Sequence, residues 1–104
     1  MVADNEKILK VIYRAVDSVN KELGLEVKIV KDPQTRLLQE ESGLDSLGVV
    51  TLIMAIEREL KRTLKVSMTL VNEEMLSKKR TSPFFSIQTL ADYILKQLKK
   101  NAHD

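Results

Sequence analysis

Apolar positions recur in steps of three and four along the first stretch of the chain, and that period predicts a helix. From about Asp4 to Leu23, the residues Ile8, Ile12, Ala15, Val16, Val19 and Leu23 fall on one face of a 3.6-residue repeat. Asp4 precedes the pattern as an N-cap, and Gly24 follows it as a left-handed stop. Residues 25 to 43 lose the period. Val27, Ile29 and Val30 alternate as a short strand would. Pro33, Gly43 and the polar run Gln39-Glu40-Glu41-Ser42 read instead as a long loop, with Leu37 and Leu38 as apolar anchors. A loop of that length is uncommon in a compact domain unless it holds a helical turn or has a functional use.

The period returns from about Ser46 to Lys61, with Asp45 where an N-cap belongs. Stepping about 100° per residue puts Val49, Leu52, Ile53, Ile56 and Leu60 on one side of this helix and Leu47, Val50 and Met54 on the opposite side. One stripe is enough to bury a helix against a core. The second admits two readings: a central helix buried on both sides, or an exposed apolar strip that meets a partner. Further on, Met68, Leu70, Val71, Met75 and Leu76 are available for burial, and Asn72 to Ser77 can form one or two helical turns. A basic knot, Lys78-Lys79-Arg80, leads to Thr81-Ser82-Pro83. The last helix opens on Ser86 as N-cap and buries Ile87, Leu90, Ala91, Ile94, Leu95 and Leu98 along one face. Lys96, Lys99 and Lys100 near its end suit the helix dipole, and residues 101 to 104 are expected to fray.

Composition narrows the function classes. A chain of 104 residues with 43% hydrophobic and 31% charged residues is one folding domain. It has no Cys, so disulfides, thiolate nucleophiles and Cys-ligated metals are excluded. Its one His, His103, lies next to the end, which leaves no His metal cluster. No apolar run approaches the roughly 20 residues of a membrane span, and no signal segment opens the chain, so a cytoplasmic protein is expected. A net charge of +2 is too even to argue for nucleic acid. The charge is uneven along the chain, however: residues 61–104 carry 9 basic against 4 acidic groups.

Ser46 is the residue with the most chemical interest. It follows a glycine-containing loop and opens a helix, beside unpaired backbone N–H groups and the positive end of the dipole, where a phosphate ester is favoured. The plainer reading is that Asp45 and Ser46 only cap the helix. A serine hydrolase elbow needs Gly-x-Ser-x-Gly; Gly48 fills the later position, but Leu44 stands in the earlier one and no well-placed His exists. Glu57 and Glu59 lie about 200° apart on the helix and do not converge for acid–base work. The basic knot lacks interleaved aromatics and reads as a solvated loop.

Gly43-Leu44-Asp45-Ser46-Leu47 resembles the Asp-Ser-Leu phosphopantetheine attachment motif of the acyl carrier proteins. The run Val50 to Leu60 is similar to that family's second helix, and Ile87-Gln88-Thr89-Leu90-Ala91-Asp92-Tyr93-Ile94 to its last. The N-terminal helix, the long first loop and the chain length fit as well. The resemblance implies an all-α four-helix bundle with a short third helix and a long first loop, in one domain over residues 1–104. It implies a non-catalytic carrier in which a phosphopantetheinyl transferase moves 4′-phosphopantetheine from coenzyme A onto Ser46, flanked by Asp45. The thiol of that arm would carry acyl groups as thioesters between acyl-loading and acyl-transfer enzymes, which explains a carrier without Cys. It also implies that Leu47, Val50 and Met54, with Glu57 behind them, face partner enzymes. A monomer that binds neither nucleic acid nor metal and spans no membrane is expected.

Two features depart from the family's usual pattern. Gly48 and Thr51 stand where many members place acidic residues, and the stretch from Leu64 to Ser86 is longer and more basic. They point to a specialised carrier in fatty-acid, lipid or polyketide-type biosynthesis. An aminoacyl or peptidyl carrier using the same serine is the alternative within the fold. A plain helical interaction module, with Ser46 only as a cap, is the alternative outside it.

Overall fold

The computed structural model describes residues 4–24, 28–37, 46–70 and 82–101. These residues hold three helices: α1 (Asn5–Leu23), α2 (Ser46–Leu64) and α3 (Ile87–Asn101). The class is all-helical. Among the described residues α1 is the central element, packing against both α2 and α3. The short third helix expected at Asn72 to Ser77, the anchor Leu38 and residues 102–104 of the tail lie outside the described residues, whereas Asn101, expected to fray with that tail, is the last residue of α3.

The ends of α1 follow its sequence. The Asp4 carboxylate accepts the Lys7 N–H at 2.9 Å, closing an N-cap, and Gly24 adopts φ 55° and ψ 41° as the left-handed stop. Ile8, Val11, Ile12, Ala15, Val16 and Val19 are buried along one face. That face meets Val49, Leu52, Ile53, Ile56 and Leu60 of α2 and Ile87, Leu90, Ala91 and Ile94 of α3 in one core.

Residues 28–37 form no strand; they are a loop tied down at several points. The Asn20 side chain binds the backbone of Ile29 twice, donating from Nδ2 to its carbonyl at 3.1 Å and accepting its N–H at 2.8 Å. This two-way clamp holds Ile29 in the core. Asp32-Pro33-Gln34-Thr35 is a turn closed by the Thr35 N–H to the Asp32 carbonyl at 3.0 Å, and the Asp32 carboxylate accepts the Gln34 N–H at 2.7 Å.

The same loop finishes the start of α3. Thr35 and Pro33 carbonyls accept the N–H groups of Ile87 and Gln88 at 2.9 and 2.8 Å, so two of the orphan donors of the first turn find backbone partners. Ser86 caps as its position predicts: its hydroxyl accepts the Thr89 N–H at 3.2 Å while Thr89 Oγ1 accepts the Ser86 N–H at 2.9 Å. Leu37 N–H donates to the Phe85 carbonyl at 3.1 Å, and Arg36 and Ser86 form an isolated antiparallel bridge. Leu37 and Phe84 are fully buried there, with the Phe84 and Tyr93 rings 6.0 Å apart.

Candidate functional site

The head of α2 is where the sequence places its chemistry. Ser46 is the first residue of that helix by its backbone, while Asp45 lies outside the described residues. From Ser46 the helix runs uninterrupted for 19 residues. It starts apolar because Leu47, Val49 and Val50 surround the one glycine, and Gly48 is itself buried against the core. The first turn contains no acidic residue. A phosphodiester on the first residue would therefore sit at the positive end of the helix dipole, with no acidic residue in that turn to oppose it. The residues at the head of α2 fit the 4′-phosphopantetheine phosphate.

The two stripes of α2 separate in the structure. Val49, Leu52, Ile53, Ile56 and Leu60 are all fully buried. Leu47 and Met54 on the opposite side keep 71% and 55% of their surface exposed, so α2 is not buried all round. Val50 belongs partly to each side, being half-buried and packed on the edge of the core. Thr51 lies beside this exposed row, and its hydroxyl donates to the Leu47 carbonyl at 2.8 Å.

Glu57 has an internal partner. After α2 the chain reverses through Lys65, which takes φ 58°, and the Val66 N–H donates to the Leu60 carbonyl at 3.3 Å. Residues 65–70 then return beside α2, and the Glu57 Oε2 accepts the Leu70 N–H. Leu70 is fully buried and Met68 packs on the core. The return leaves an open groove of about 460 Å³ lined by Met54, Glu57, Arg58, Lys61, Ser67, Met68 and Thr69.

Arg58 and Lys61 are both exposed and lie within about 40° of Met54 on the helix wheel. Hydropathy alone does not mark them; that angle does. Glu59 faces away from this row and is held by Arg62, with Nε to Oε2 at 2.8 Å and a second contact at 3.0 Å. The hydrogen bond from Arg62 is the main cause that lowers the Glu59 pKa below its ordinary value. Among the described residues no group of acidic or His side chains could hold a metal ion, and no helix is long and apolar enough to cross a membrane.

The family model for the phosphopantetheine attachment site matches residues 14–73, more than half of the chain. The matched span begins inside α1, takes in Gly43-Leu44-Asp45-Ser46-Leu47 and all of α2, and continues past the Glu57–Leu70 contact. Comparison with curated proteins and with solved structures gave no match. The match favours a carrier over a plain helical module, and such domains are carriers rather than catalysts. The chain belongs to the phosphopantetheine attachment site family and is a carrier domain for covalently held 4′-phosphopantetheine.

Proposed function

We propose that Ser46 is the attachment residue and that the protein is an acyl carrier. The observation that most supports this is positional. Ser46 sits in Asp45-Ser46-Leu47, inside the family-matched span, and is the first residue of α2 with no acid in the turn that follows. In this reading the Ser46 oxygen attacks the pantetheine-bearing phosphorus of coenzyme A on a phosphopantetheinyl transferase; the serine–phosphate ester forms as the pyrophosphate P–O bond breaks, adenosine 3′,5′-bisphosphate leaves and the hydroxyl proton is released, with Asp45 flanking the site. The group supplies a terminal thiol on which acyl chains travel as thioesters. Leu47, Val50 and Met54 face the loading and transfer enzymes, and Glu57 borders that face.

The family-atypical Gly48 and Thr51, and the basic balance after residue 60, support a specialised carrier of fatty-acid, lipid or polyketide-type biosynthesis. The proposal includes one cytoplasmic, monomeric domain over residues 1–104, with a short helix near residues 72–77 completing a four-helix bundle. The test is intact mass after incubation with coenzyme A and a transferase. The wild type should gain one phosphopantetheine. Ser46→Ala should keep its fold, at a cost of about 1 kcal/mol or less, and gain no mass. Modification of the Ala variant would reject the assignment.

A further inference from the structure

The exposed row of α2 carries a definite charge. Resting on the reading of α2 as the partner face, we infer that the partner enzyme presents an apolar pocket rimmed by carboxylates on the side away from Ser46. The row is Leu47, Thr51, Met54, Arg58 and Lys61, a length of about 21 Å at 1.5 Å per residue. Leu47 and Met54 supply exposed apolar anchors, and the Thr51 hydroxyl between them is bonded within the helix. Beyond Met54 the exposed charges are Arg58 and Lys61, and neither makes an ion pair among the described residues. Of the acids of α2, Glu57 borders the same groove and offsets one of these two charges, which leaves the row net positive. Glu59 faces the other way and holds Arg62, and Glu57 accepts the Leu70 N–H. The opposite wall of the groove, Ser67, Met68 and Thr69, is uncharged.

Charge complementarity then fixes the orientation of docking. Apolar anchors near Ser46 enter the pocket, and the cations, about 6 and 10 Å further along the helix from Met54, meet the acidic rim. A protein partner is favoured over an anionic membrane. The row has only two cations beside its anchors, the Glu57 carboxylate lines the same groove, and a carrier must present Ser46 to an enzyme.

The test uses one phosphopantetheinyl transferase in two forms, with the carrier-docking rim built from Lys/Arg or from Glu. Rates are read as mass gain at Ser46, across a salt series. With the wild type, the acid-rimmed form should have a kcat/KM about tenfold higher at low ionic strength, and the difference should shrink as salt screens exposed charges. The double variant R58E/K61E, with both changes on exposed positions, should reverse the preference while keeping the wild-type helical spectrum. If both forms modify the wild type at equal rates, the carrier reading stands and the acidic-partner inference falls. If neither form adds mass, the Ser46 reading falls and takes the inference with it. Pelleting of the wild type but not of R58E/K61E with phosphatidylserine vesicles, with no effect of rim charge, would assign the face to a membrane and overturn the inference.

Discussion

The carboxylate of Glu57 accepts the backbone N–H of Leu70, thirteen residues later, and so fastens the segment after α2 to the helix itself. Leu70 is fully buried at that point, so the bond and the apolar contact hold the same residue. Glu57→Ala should destabilise the fold by about 1–2 kcal/mol, because a charge-assisted hydrogen bond is lost and the N–H is left without its acceptor. Glu57→Gln keeps an acceptor and should cost less than half as much. Urea denaturation of the three proteins measures this, and equal stability of wild type and Glu57→Ala would contradict it. The Gln variant also separates a charge contact with a partner from the structural role, since only the former disappears.

The two sides of α2 should respond differently to truncation. Ile53→Ala removes a fully buried side chain and should cost about 2–5 kcal/mol. Met54→Ala removes an exposed one and should cost under about 1 kcal/mol. Chemical denaturation of both variants checks the contrast. Equal, large losses would mean that Met54 is covered in solution.

Lys65 ends α2 at φ 58°, a conformation in which a Cβ crowds the backbone and which glycine adopts without that strain. Its ammonium only reaches the Arg62 carbonyl at 3.4 Å, so little is lost by removing it. Lys65→Gly should stabilise the protein by roughly 0.5–1 kcal/mol, the steric relief exceeding the extra freedom of glycine in the unfolded chain. A lower midpoint in thermal unfolding would contradict this.

The Glu59–Arg62 pair gives a pH dependence of known sign. The folded-state pKa of Glu59 is lowered, chiefly by its hydrogen bond from Arg62, so its contribution is present above the ordinary value of 4.5. It is lost as pH falls below that value and through the lowered folded pKa. Arg62 is largely exposed, so solvent screening keeps the contribution to a small amount. Glu59→Gln should therefore be less stable than wild type by that amount at pH 7 and should equal it once the carboxyl is protonated. A stability gap that persists unchanged at low pH would refute the pairing as its source.

The helices and their buried faces were legible in the chain because they depend on neighbours one turn away. The Asp4 and Ser86 caps, the Gly24 stop and the apolar rows of α1, α2 and α3 all follow from spacing and local hydrogen bonding. The motif around Ser46 is equally local, and so is the larger apolar stripe of α2, although spacing left open whether the opposite side was buried as well. The tertiary structure decided what lies between the helices. It settled 28–37 as a pinned loop and not a strand, because Asn20 supplies the hydrogen bonds that a neighbouring strand would have given Ile29. It brought Pro33 and Thr35 to the first turn of α3, buried Phe84 beside Tyr93, and turned Glu57 toward Leu70. It also split the second stripe of α2, leaving Leu47 and Met54 in solvent and Val50 half-covered. None of these contacts has a period along the chain. Each joins residues that meet only once the core has formed, so spacing carries no trace of them.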